Sequence, residues 1–312
     1  MYIAEALPQK PKLWKYLVGF IFVLICWQGI GSVPLTAALL MEAGGLDNLP
    51  TSPAGMADLL GANKFLALML ATFVVGLIGL FFFVKVVHKQ SIRSLTTSRA
   101  RIDWGRIFFS FFITALFIGG FLYAGVYMEP DKYTWNFNQE AFILLAVISF
   151  LMLPLQTSFE EYWFRGYLMQ GLGVATNSRF VPLIITSLLF GFMHILNPEI
   201  DKIGYAVLSV YCGLGLLMGM MTLLDEGLEL AIGFHAANNI AISLMVTTEW
   251  SALQTDALYV STAEPVLSEM LIFLGGMFVV LLGIFQLRYK WTNWGQKLLG
   301  RVRVDAAAPV QE

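Results

Sequence analysis

The chain runs to 312 residues, 58% of them hydrophobic and only 13% charged, with a mean hydropathy of +0.72. That composition excludes a water-soluble globular domain and describes a polytopic membrane protein. With 19 Lys+Arg against 21 Asp+Glu the formal net charge is −2, so there is no basic excess for a polyanion and no nucleic-acid partner is expected.

Apolar stretches long enough to cross a bilayer, which takes about 20 residues each, recur from end to end. In chain order they are 16–41, 65–87, 107–127, 141–169, 180–196, 203–224, 228–245 and 266–287. None alternates like a strand, and lipid leaves backbone groups no partner outside their own segment, so the spans are helical. The expected fold class is all-α, a polytopic membrane helical bundle of about eight transmembrane helices in a single domain, 1–312.

If the N-terminus is cytosolic, all of the 19 basic residues except Lys64, Lys132 and Lys202 fall on the cytosolic side, Arg165 and Arg179 included. Both termini are therefore expected in the cytosol. The first span follows Lys10, Lys12 and Lys15 but is far longer than a signal-peptide core of about 7–15 residues, so it should be retained. The connection 42–64 carries Met56, Leu59 and Leu60 among Gly, Pro and Ser, a pattern for a short interfacial helix. A comparable segment, 248–265, is placed to cap the bundle on the same face, and 300–312 reads as a flexible cytosolic tail.

Cys26 and Cys212 sit inside apolar spans, and each is expected to act as a buried small hydrophobe, neither disulfide-bonded nor nucleophilic. Gly215 and Gly219 make a Gly-x-x-x-Gly step in the sixth span, and Gly275, Gly276 and Gly283 mark the eighth; both patterns predict close helix packing.

Polar groups inside the spans carry the functional signal. Glu160 and Glu161 close the run 141–159, and Arg165 follows one turn later. Ionisable groups at that depth cost about several kcal/mol unless paired or wetted. Glu161 and Arg165 have i, i+4 spacing with the acid N-terminal, the favourable orientation for a helical ion pair. A cytosolic helix-end charge cluster is the plain alternative. Of the three histidines, His88 reads as solvated in a basic loop, whereas His194 and His235 are intramembrane. Phe190 and His194 share one helix face; His235 and Asn239 share another, presenting two donors in one direction. A histidine satisfied by a neighbouring helix is the plain reading of His194. At about 1.5 Å per residue, Glu160, His194 and His235 all reach the cytosolic half of the membrane or its midplane, where they can meet.

Taken in order, Glu160-Glu161-x-x-x-Arg165, Phe190-x-x-x-His194 and His235-x-x-x-Asn239 resemble the three motifs of the CPBP (CAAX protease and bacteriocin-processing, Abi) family, similar to type II CAAX prenyl endopeptidases. The resemblance implies an intramembrane endopeptidase with a catalytic core at about 140–248. Its site faces the cytosol, and it cleaves a lipidated or membrane-associated peptide at the lipid bilayer. Glu160 maps as general base with His194 assisting, His235 and Asn239 as oxyanion donors, and Glu161 with Arg165 as the supporting pair. In a bacterium the location is the plasma (inner) membrane. A zinc-dependent version would use Glu160, His194 and His235 as ligands. The lack of a His-Glu-x-x-His helix favours the glutamate route without a cofactor. Two readings from other classes are a transporter, against which stands the lack of an internal repeat, and a silent immunity or scaffold protein, which would not need the full motif set.

Overall fold

A computed structural model describes residues 1–9, 12–248, 250–251 and 253–302. A short 3₁₀ segment, Ile3–Gln9, is tucked into the bundle ahead of α1 (Leu13–Leu24). A π-helical stretch, Ile25–Ile30, and α2 (Val33–Ala43) extend α1 into the first long apolar helix. α3 (Pro53–Leu60) is the short helix expected within 42–64; the Ser52 hydroxyl caps it by accepting from Gly55 N–H, and Pro53 takes the first position. α4 (Ala62–Val86), α5 (Ile92–Thr96) and α6 (Trp104–Met128) follow, with Asp103 capping α6 through Arg106 N–H.

β1 (Tyr133–Trp135) precedes α7 (Gln139–Glu161), which runs through a second π stretch, Tyr162–Leu168, into α8 (Met169–Thr176). The three together form one continuous 38-residue rod. α9 (Phe180–Phe192), α10 (Glu199–Ile203), α11 (Leu208–Asp225) and α12 (Glu229–Met245) complete the core. β2 (Val246–Thr247) and β3 (Tyr259–Ser261) lead to α13 (Leu267–Tyr289) and α14 (Trp294–Leu299). β3 lies between β1, antiparallel, and β2, parallel, so segment 248–265 does build a cap on the bundle.

The chain folds as a membrane helical bundle, and among the described residues six helices are long and apolar enough to span. Two of the eight predicted spans come out short. α9 has 13 residues and α12 has 17, or about 20 and 26 Å of helix against a hydrocarbon core of about 30 Å. α9 stops because the chain turns at Met193–Leu196 ahead of Asn197-Pro198. α12 stops where the β-branched Val246 and Thr247 go extended into β2. α12 is instead a central helix, buried from Glu229 to Asn238 and enclosed by α6, α7 and α11.

Gly215 and Gly219 place α11 directly on α9: a β-carbon at Gly215 would lie 2.9 Å from the Ser187 carbonyl, and one at Gly219 2.6 Å from Leu183 Cδ1. Gly275, Gly276 and Gly283 meet no neighbouring group, so the expected close packing of α13 through them is not found. Both cysteines are free thiols. Of the predicted tail, Gly300–Val302 is packed, with Val302 buried and Arg179 N–H bonded to Gly300 O; 303–312 lie outside the described residues.

Candidate active site

α7 supplies the acids. Gln156 and Glu160, one turn apart, lie on the same face, and Gln156 Nε2 donates to Glu160 Oε1 at 2.6 Å. Glu161 points elsewhere: its Oε1 accepts from Arg165 Nη1 at 2.8 Å, and both side chains are wholly buried. The ion pair expected from i, i+4 spacing is therefore formed. Arg165 is a core residue and not the cytosolic-loop charge assumed in the topology count. Its second nitrogen, Nη2, donates to Gly215 O at 3.1 Å on α11, and its guanidinium lies 4.3 Å from the Phe190 ring centroid.

α12 brings in the second half. His235 Nδ1 is 2.8 Å from Glu161 Oε1. A carboxylate that already receives an arginine can only accept, so Nδ1–H is the donor and the tautomer is set. His235 Nε2 is then left facing Glu160 Oε2 at 3.6 Å. One turn on, Asn239 Nδ2 donates to Gln156 Oε1 at 3.1 Å, and Asn238 Nδ2 donates to Asn239 Oδ1 at 3.1 Å. Glu160, Glu161, Arg165, His235 and Asn239 thus sit in one network across two helices. Gln156 is the member that sequence reasoning missed, although a glutamine four residues before Glu160 inside an apolar helix was the available signal.

His194 lies beyond the end of α9, in the turn and not in a span. Its ring stacks on Tyr211, with centroids 4.2 Å apart at 15°, and contacts Phe190. Nδ1–H donates to Phe190 O at 2.8 Å, so a neutral His194 presents Nε2 as an acceptor. No direct hydrogen bond joins His194 to Glu160 among the described residues. Phe190 is the hub between the three motifs, touching the Arg165 guanidinium, His194 and, edge-on at 5.8 Å, His235.

This arrangement can be compared with known proteins. The family model for Rce1-like type II CAAX prenyl endopeptidases matches residues 139–241, from the first residue of α7 to within α12. The stretch that carries α7 to α12 is thus similar to that family. A Bacillus subtilis (strain 168) protein, "Uncharacterized protein YyaK", is 28% identical over 238 residues, covering 75% of this chain and 78% of its own. No solved structure matches the chain. The Rce1-like match spans all three motifs, bears out the family resemblance, and points to a CAAX-type intramembrane protease.

The zinc version asks Glu160, His194 and His235 to converge. They do not: among the described residues no three His, Cys, Asp or Glu side chains come close enough to hold a metal ion. Each histidine bonds an oxygen through Nδ1 and keeps Nε2, the nitrogen a zinc ion would use, so it is the placement of the three side chains and not their tautomers that fails to make a ligand set. The residues as placed do not fit a three-ligand zinc site, and no chemical step is routed through one.

Proposed function

We infer that the chain hydrolyses a peptide bond in a lipidated, CAAX-like or membrane-associated peptide, with Glu160 as the general base. The observation that carries this is the unequal treatment of the two acids. Glu161 is spent on Arg165 and His235, whereas Glu160 keeps a 14% exposed side chain, with Gln156 orienting one oxygen and the other left toward His235 Nε2.

In the proposed reaction Glu160 takes a proton from a water, whose oxygen attacks the scissile carbonyl carbon. His194, through its acceptor Nε2, helps to hold that water. The carbonyl oxygen becomes an oxyanion stabilised by Asn239 Nδ2–H and by a His235 that enters and leaves the step with a proton on each ring nitrogen, Nδ1–H on Glu161 and Nε2–H on the oxyanion. Glu160 then passes its proton to the leaving nitrogen, the carbon–nitrogen bond breaks, and a carboxylate and an amine leave. A positioned base contributes about 10²–10⁴-fold, and one oxyanion donor about 2.7–4 kcal/mol in such reactions. Enclosure in a bundle strengthens both effects by excluding water.

The test is cleavage of a prenylated or membrane-tethered reporter peptide by purified protein. Glu160→Gln is expected to abolish turnover while the fold persists, His235→Ala and Asn239→Ala to lower it by about 10²–10³-fold, and Gln156→Leu by a smaller factor. Wild-type turnover in a folded Glu160→Gln would sink the assignment. Loss of activity to a chelator, restored by zinc, would replace the glutamate route by the metal one. A wild type that binds such peptides without cleaving them would favour the scaffold reading, and transport across vesicles without cleavage the transporter.

A further inference from the structure

The segment ahead of α1 is packed into the bundle. Tyr2 and Ile3 are fully buried, and the segment Ile3–Gln9 lies against α8 and α5. Tyr2 is fixed from every side. Its backbone N–H donates to Glu226 Oε2 at 2.5 Å, and its carbonyl accepts from Gln170 Nε2 at 3.2 Å. Its hydroxyl reaches the Leu95 carbonyl at 2.8 Å and the Arg165 carbonyl at 3.0 Å.

The Arg165 carbonyl is a special acceptor. Where the π stretch Tyr162–Leu168 returns to α-helix, the Met169 N–H bonds to the Phe164 and Gly166 carbonyls and passes over the one between them. A π-bulge leaves one such carbonyl without a helical partner, and a buried orphan costs about 1–3 kcal/mol. Tyr2 supplies a donor, its one hydroxyl proton shared between the Arg165 and Leu95 carbonyls. Burial pushes its phenol well above the ordinary tyrosine range, so the proton is present at any working pH.

The bulge also carries the residue that organises the site. Arg165 sits inside it, with Nη1 on Glu161, which in turn orients His235. We propose that Tyr2 is a positioning residue: by capping the Arg165 carbonyl it locks the bulge in the register that holds Glu161 and His235 in place. The N-terminal segment is thereby a working part of the active site, more than 150 residues away in sequence from the helix it caps. The catalytic half of this proposal rests on the protease reading; the capping half does not.

Two measurements on full-length protein separate them. Tyr2→Phe removes only the hydroxyl. In the reporter assay its kcat is expected to fall about tenfold, the rate equivalent of one buried hydrogen bond, with KM within about twofold of wild type. Hydrogen exchange in peptides spanning 162–171 is expected to rise by about tenfold, for the same reason. Thr255→Val removes a different buried hydrogen bond, to the Ser243 carbonyl at the cap; it should lower the melting temperature and leave kcat unchanged. Unchanged kcat in Tyr2→Phe, or an equal loss in Thr255→Val, overturns the positioning role. Unchanged exchange over 162–171 overturns the cap itself. If wild type cleaves no reporter, the protease reading fails, and exchange alone then decides whether Tyr2 caps the bulge.

Discussion

At the scale of single residues, what separates one polar group from its neighbour is which partners other helices deliver to it. Glu160 and Glu161 are adjacent, yet one keeps an open edge and the other is enclosed by Arg165 and His235. His88 shows the same effect in a loop. A basic stretch between α4 and α5 reads as solvent-facing, but His88 is 6% exposed, 3.1 Å from the Tyr167 hydroxyl and tilted against the Tyr16 ring. Burial, and then the charge of Lys15, push its imidazole down to about 4 from an ordinary value near 6.5. Between those values the unfolded chain binds a proton that the folded chain refuses, so stability rises with pH across the window. The contribution is complete above about pH 6.5 and is lost as pH falls toward about 4. Melting temperatures taken at about pH 7 and about pH 4.5 should therefore fall further for wild type than for His88→Phe, which has no proton to take up. Equal drops in the two proteins would show that His88 is not the group responsible.

At the scale of elements, the spacing rules carried far where the partner lay on the same helix and failed where it lay on another. The Glu161–Arg165 pair followed from i, i+4 spacing alone. The bond from His235 to Glu161 could not, because it joins α12 to α7 across 74 positions of sequence. Hydropathy found every long helix but extended α9 and α12 to full spans, since a window of apolar residues does not register a turn at Met193 or a switch to strand at Val246. The π stretch after Glu161 has no sequence signature at all. Glycine patterns were legible in part: the step in α11 packs, the stripe in α13 does not. That contrast is testable. Gly→Ala in a helix interior ordinarily stabilises by about 1 kcal/mol. At Gly276, which meets nothing within 4 Å, the substitution should raise the melting temperature or leave it unchanged. At Gly215 the added carbon meets backbone of α9, 2.9 Å from Ser187 O and 3.0 Å from its Cα, and Gly215 O is also the acceptor for Arg165. Overpacking of that kind costs about 1–3 kcal/mol, so Gly215→Ala should melt lower in detergent and lose reporter cleavage. A Gly215→Ala protein as stable as wild type would mean that α11 can slide on α9.

At the scale of the whole molecule, the basic residues that fix the expected topology turn out to be structural as well. Asp225 at the end of α11, Glu226 in the turn and Glu229 at the start of α12 gather segments from the full length of the chain. Asp225 binds Arg99 at 2.9 Å, Arg106 at 2.5 Å and the Trp291 indole at 2.9 Å; Glu229 takes the other arm of Arg99 at 3.2 Å. Glu226 joins Arg179 at 2.7 Å to the backbone of Tyr2. The N-terminus, the segment before α6, the start of α9 and the segment before α14 are thus drawn to one point at one end of the bundle, next to the helix that carries His235. Asp225 is 4% exposed, so it has been taken out of water and is stabilised there only by its partners. Removing it takes a carboxylate from Arg99 and Arg106, which keep Glu229 and Asp103, and takes the acceptor from the Trp291 indole; losing one partner of a buried ion pair costs up to about 3–5 kcal/mol. Asp225→Ala should therefore shift the melting transition down sharply and expose both the N-terminal segment and α14 to faster hydrogen exchange together, because one hub holds them. Lys64→Ala breaks the pair with Glu42, whose side chains are 51% and 50% exposed, and should leave melting unchanged. If Asp225→Ala melted like Lys64→Ala, or loosened α14 without the N-terminus, the acidic turn would be a set of separate contacts and not the joint on which the assembly closes.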